Sequence, residues 1–153
     1  MIDNSSLVKD VLSELDATER SENISNVEYS LELDLPGSAS KTYSGVLRTT
    51  FVVQNSSEIF LDFTGSEITS FELNGAAVAD LNWSGHRLRI GLQDGLITGE
   101  NSIELKYLNE YDHTGDGFHQ FIDPEDNQEY VYSNFEPYSA HRLFPCFDQP
   151  NIK

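Results

Sequence analysis

Only one cysteine, Cys146, occurs in the 153 residues. That excludes an internal disulfide framework and a four-cysteine zinc site. Flanked by Pro145 and Phe147, it reads as a buried structural thiol, because reactive thiolates sit in accessible, electropositive surroundings. Basic residues are also scarce: nine Lys and Arg stand against 26 Asp and Glu, a formal net charge of −17. A field of that sign repels phosphate and anionic lipid, so nucleic acid and membrane surfaces are excluded as partners. It attracts cations, protonated amines among them. No apolar run approaches the roughly 20 residues of a membrane helix. The N-terminus, MIDNSSLVKD, has neither the basic patch nor the apolar core of a secretory leader, so the expected compartment is the cytoplasm. Catalytic signatures are missing too. No two of His86, His113, His119 and His141 form an H-x-x-x-H pair. There is no G-x-S-x-G elbow and no phosphate-binding glycine loop.

Aromatic and aliphatic residues are present in quantity. Nine Phe, seven Tyr and one Trp, with 38% apolar residues overall, support a core of one domain. Residues 5–20 read as one short helix, with Leu7, Val8, Val11, Leu12 and Leu15 on one side and Ser5 or Ser6 as cap. From Asn26 the period falls to two. Val27, Tyr29, Leu31, Leu33 and Leu35 alternate with polar residues, as in a half-buried strand. Further strands are expected over 43–54, 58–63, 68–73, 87–92, 101–107 and 128–135. Asn74-Gly75 signals a hairpin, with residues 78–82 continuing it. The fold class is mainly β: an antiparallel sandwich or saddle-like sheet with a short N-terminal helix. Residues 111–127 read as a polar connector. Asp112, Thr114, Asp116 and Asp123 imitate a calcium loop poorly, with Thr at the third position and no bidentate Glu at the last, so an acidic surface loop is expected.

Tyr130–Lys153 is unlike the rest. Three of the five prolines lie here, Pro137, Pro145 and Pro150. Each fixes φ, removes a donor and pushes its predecessor out of helical geometry. Glu136 directly precedes Pro137, at a strand-to-loop transition. A carboxylate held rigidly there can receive an ammonium group. The plain structural alternative is an ion pair with Arg142.

The stretch Gly115–Lys153 resembles the N-terminal domain signature of the aminopeptidase N family of zinc metallopeptidases. The resemblance rests on Tyr132, Phe135-Glu136-Pro137, Ala140, Arg142, Phe144-Pro145-Cys146-Phe147-Asp148, Pro150 and Lys153. ISNVEYSLELDL and KTYSGVLRTTFVV are similar to the family's first two strands. An N-terminal helical segment, 1–22, is expected to precede a β domain, 23–153, which the resemblance implies is non-catalytic and seated on a separate catalytic domain. That domain, absent here, carries H-E-x-x-H and holds the zinc, so no zinc is expected in this chain. It implies that Glu136 binds the free α-amino group of a peptide substrate. It also implies that Asn134, in place of the family's glutamine, lines the first substrate pocket. His141 replaces the first arginine of the usual pair, and Gln149 a glutamate. Family chains add strands beyond the position of Lys153, so an unpaired sheet edge and self-association are expected. The rival reading is an autonomous β-sandwich module that binds carbohydrate or protein.

Overall fold

The computed structural model describes residues 9–37 and 40–152. Its first element is α1, Glu14–Asn23. The helix starts later than the apolar spacing predicts, because Ser13 supplies a real cap: its hydroxyl accepts the Asp16 N–H at 3.1 Å. Glu14 and Asp16 in the first turn and Arg20 in the last complement the helix dipole. Val11 and Leu12 lie before the helix in an irregular strap, and Val11 and Leu15 are 60% and 67% exposed. The expected leucine face therefore does not dock the helix; Arg20 is its buried residue. Leu7, Val8 and the proposed caps Ser5 and Ser6 lie outside the described residues.

Ten strands follow among the described residues: β1 Ile24–Asp34, β2 Thr42–Val53, β3 Ile59–Asp62, β4 Glu67–Leu73, β5 Ala76–Ala77, β6 Asn82–Trp83, β7 Arg87–Ile90, β8 Gly99–Glu110, β9 Gly117–Ile122 and β10 Glu129–Asn134. They form a five-stranded antiparallel sheet, β1-β2-β8-β4-β5, a three-stranded sheet, β3-β7-β6, and a two-stranded ribbon, β10-β9. The first two sheets close on one core. Phe51, Leu105 and Tyr107 from one meet Leu61, Leu88 and Ile90 from the other.

The long β2–β8 pair sets the register. It runs from Thr42↔Glu110 to Val53↔Gly99, and Leu47 lies opposite Leu105. Odd positions of both strands face the core, and Arg48 and Glu104 face water. A slip by one residue would bury those charges, so the alternation leaves one register. Gly45 sits opposite Tyr107, and the Tyr107 ring fills the space a Cβ would take. Asn74 and Gly75 turn the β4–β5 hairpin with φ of 51° and 81°, as an Asn-Gly turn requires.

Several expected boundaries move. The apolar side of β1 leaves the core as it runs outward: Ile24 is buried, Val27 and Leu31 are half-buried, Leu33 and Leu35 are exposed. The β4–β5 pairing stops at Ala77, and Asn82 pairs instead with Arg89 in the other sheet. β7 ends at Ile90; Leu92 turns outward into a 3-10 turn, Leu92–Asp94. The expected polar connector contains a strand, β9. Phe118 packs edge-on against Tyr43 at 5.0 Å, and the Gln120 amide donates to Ser40 O and Glu129 Oε2. Polar residues there satisfy the fold's own donors and acceptors. Asp112, the first residue of the imagined calcium loop, accepts the Phe118 N–H at 3.0 Å.

Gly45→Ala places a methyl inside the Tyr107 ring's contact distance. Its expected cost is about 1–3 kcal/mol of stability, read from the urea midpoint. A Tyr107→Ala background should accept the same methyl with little further loss.

Candidate functional site

The segment from Phe135 to Ile152 has almost no regular ladder, so side chains of the sheets pair its backbone. Tyr43 and Tyr107 both donate their hydroxyls to Leu143 O, at 2.9 and 2.8 Å. The Asn109 amide donates to Arg142 O at 2.8 Å, and Phe147 N–H donates to the Tyr29 hydroxyl at 2.9 Å. Burial pushes the three phenols well above their ordinary range, so they stay neutral. Asp62 and Cys146 exchange both backbone hydrogen bonds, at 2.8 and 3.0 Å. Burial, with Asp148 and Asp62 nearby, raises the Cys146 thiol far above its ordinary value, which makes it an inert core residue.

Under this segment lies a chain of buried charges. Arg20 Nη1 contacts Asp62 Oδ2 at 2.8 Å, its Nε donates to Gln149 Oε1 at 2.6 Å, and its guanidinium lies over the Phe60 ring at 4.4 Å. Asp62 Oδ2 also accepts the Asp148 N–H at 3.1 Å. Asp148 Oδ2 reaches His141 Nδ1 at 2.6 Å, and His141 Nε2 reaches Asp10 Oδ1 at 2.7 Å. Thr64 donates to Asp10 Oδ2 at 3.1 Å. His141 is fully buried. Burial opposes its charge, but hydrogen bonds to Asp10 and Asp148 outweigh burial and raise its pKa from 6.5 to about 9. Burial likewise opposes the Asp10 charge, and His141 overcomes it, holding the carboxyl below 3.8.

Glu136 and Asn134 sit where the β9–β10 ribbon ends, and both are exposed. The Ser139 N–H donates to Phe135 O at 2.9 Å, so residues 135–139 form a turn with Glu136 and Pro137 at its outside. The Glu136-Pro137 peptide is cis. The plain alternative, a pair with Arg142, is not formed: Arg142 Nη1 lies 3.7 Å from Asp112 Oδ1. The Asn134 amide nitrogen reaches Gly115 O at 3.4 Å and Asp116 Oδ1 at 3.3 Å, which ties the preceding loop to the same end of the ribbon. Phe121 opposite Tyr130, and His119 opposite Tyr132, place four rings on one ribbon face. Phe121, Tyr130 and Tyr132 there are 48%, 51% and 49% exposed. An apolar hollow of about 410 Å³, lined by Val11, Leu12, Ala17, Pro137, Tyr138 and Pro150, flanks the turn. Among the described residues no three His, Cys, Asp or Glu side chains converge as metal ligands. No described helix is long and apolar enough to cross a membrane. Sequence reading does not find the buried charges, since nothing local joins Asp10 to His141 or Arg20 to Asp62.

The sign of the pH dependence follows from these shifts. His141 contributes stability in full below pH 6.5 and loses it as pH rises through about 9. Asp10 contributes above pH 3.8 and loses its share as pH falls through its lowered value. Denaturant midpoints should therefore fall across pH 7–10, and Asp10→Asn should flatten that fall. An alkaline limb identical in Asp10→Asn and the parent sequence would contradict the assignment.

The chain's family model match is to the peptidase M1 N-terminal domain, over residues 25–153. Aminopeptidase N of Streptomyces lividans is 34% identical over 144 residues, 93% of this chain and 17% of that protein. A probable M1 family aminopeptidase 1 of Encephalitozoon cuniculi is 28% identical over 104 residues, 67% of this chain and 12% of that protein. The fold is that of the M1 zinc metallopeptidase from Deinococcus radiodurans, with a TM-score of 0.63 at 22% identity, covering 84% of this chain and 30% of that one. A mutant of that enzyme bound to a Tyr-Ser-Ala substrate aligns equally well, with a TM-score of 0.63. This chain thus spans under a fifth of the curated relatives' length and carries their opening β domain. On the match of residues 25–153 and the shared fold, the chain belongs to the peptidase M1 N-terminal domain family.

Proposed function

We propose that this chain is the substrate-recognition domain of a zinc aminopeptidase that removes N-terminal amino acids from peptides. The observation that carries the reading is Glu136: an exposed carboxylate with no ion-pair partner among the described residues, on a turn fastened to a buried charge network. Against a peptide N-terminus it accepts charge-assisted hydrogen bonds from the α-ammonium group. A peptide extended or acylated at that position cannot supply them and leaves a carboxylate desolvated and unpaired. That difference is what restricts cleavage to the first residue. Asn134, at the same ribbon end, borders the pocket for the first side chain. In this reading the chain divides into an N-terminal segment, 1–22, and the β domain, 23–153; of the former, Arg20 anchors the described part through Asp62 and Gln149.

Zinc and the bond-breaking groups belong, in this reading, to a catalytic domain of the same polypeptide. The ribbon face with Phe121, Tyr130 and Tyr132 has the exposed apolar character of a docking surface and adjoins Glu136, so it seats that domain. Exposed aromatic rings on one face are also what a carbohydrate-binding module presents, which gives the rival reading its one supporting observation. Glycan binding by the isolated chain would favour it.

In the full-length enzyme, Glu136→Ala is expected to raise KM for aminoacyl-amide substrates about 10- to 100-fold. kcat should change less and zinc content should not change. An unaltered KM would count against the role. The 153-residue chain alone is expected to release no product from such substrates.

A further inference from the structure

We propose that His141 is a positioning residue for Glu136: held between Asp10 and Asp148, it braces Tyr138 and the turn that presents the carboxylate, and it lets go when deprotonated. The proposal rests on the reading of Glu136 as the amine anchor.

The connection is short. The His141 ring stacks on Tyr138 with centroids 4.3 Å apart, and only Pro137 separates Tyr138 from Glu136. His141 O accepts the Thr64 N–H at 3.0 Å, which fixes the turn to the strand-end after β3. The Arg142 N–H donates to Ser139 O and the Ser139 N–H to Phe135 O, at 3.2 and 2.9 Å. The brace and the turn are thus tied together by ring stacking and backbone hydrogen bonds, with Glu136 on the turn they hold.

The proton count decides what holds. An imidazolium donates through both ring nitrogens and satisfies both carboxylates at 2.6 and 2.7 Å. A neutral imidazole has one N–H, so one carboxylate then faces a lone pair. Asp148 keeps the His141 N–H at 3.1 Å, and its own N–H stays on Asp62. Asp10 keeps only the Thr64 hydroxyl, with His86 Nδ1 3.8 Å away. Asp10 sits on an irregular strap whose next residue, Val11, is 60% exposed. Release therefore begins at Asp10. The strap and Tyr138 line the same hollow beside Pro137, so motion of one uncovers the other. The remaining charges facing this cluster are Asp62 from β3 and Arg20 from α1, which neutralise each other at 2.8 Å. The Tyr138 phenol is raised out of range by burial and the nearby Asp62, so it stays neutral. The His141 pKa, raised to about 9, lies about one unit above that of a peptide α-amine.

The test uses carbon-detected NMR on this chain from pH 6 to 10.5, following the His141 ring and the Glu136 and Tyr138 side chains. The expected result is one shared midpoint near 9 for His141, Tyr138 and the Glu136 backbone carbonyl. Asp10→Asn should lower that midpoint by about one unit for all three together. His141→Arg, whose guanidinium stays charged, should abolish the transition at Glu136. If Glu136 and Tyr138 ignore the His141 titration, or keep their midpoint in Asp10→Asn, the proposal is overturned. In the full-length enzyme, KM of the parent sequence should rise about tenfold more than that of His141→Arg between pH 7.5 and 10, the substrate's own titration being common to both. Coupled NMR midpoints with identical KM profiles would leave the brace standing and remove Glu136 as the amine anchor.

Discussion

Asp62 loses its water when the chain folds, and an uncompensated carboxylate at that depth would cost several kcal/mol. Arg20 meets it at 2.8 Å, and that one pair determines where two distant parts of the chain can sit. It draws α1 onto the sandwich by a guanidinium where the apolar spacing points to a leucine face. Through the Asp148 N–H and the backbone exchange with Cys146, the same residue fixes the proline-rich segment. The ionic network continues through His141 to Asp10. Remove any charge from the middle and its neighbours are left buried without partners, so the network acts as a unit.

The outer face of the five-stranded sheet follows a different rule. Glu72 lies directly opposite Glu104, a repulsive cross-strand pair. Arg48 bridges Glu104 and Glu32 from the neighbouring strands. These groups stay in water, where each pair contributes little and salt screens it. Most of the −17 charge is of this exposed kind, and the few bases that matter for architecture are spent inside.

Strands whose two faces differ were legible from the sequence, because alternation is a local record of which side is wet. β2, β4 and the Asn74-Gly75 turn lie within a residue of their expected positions. β9 was hidden because Gln120 and His119 satisfy hydrogen bonds that apolar residues usually leave to the ladder alone. The helix start was misplaced because Val11 and Leu12 keep helical spacing without being helical, and Ser13 outranks the earlier serines as a cap. Glu136 stands out in the sequence because Pro137 restricts it, whereas Asn134 is singled out only by the family resemblance; both lie at the end of the ribbon. Arg142 lies beside Asp112 and not Glu136, a proximity that exists only once β9 has folded back. Ion pairs across the whole chain leave no trace in a window of ten residues.

The Asp10–His141 contact joins residues 131 positions apart, and the Gln149 amide adds a second tie to Ala17 O at 2.9 Å. Between Asp10 and Gln149 the described path is therefore nearly a closed loop. The seam between those two stretches lies beside the turn that carries Glu136.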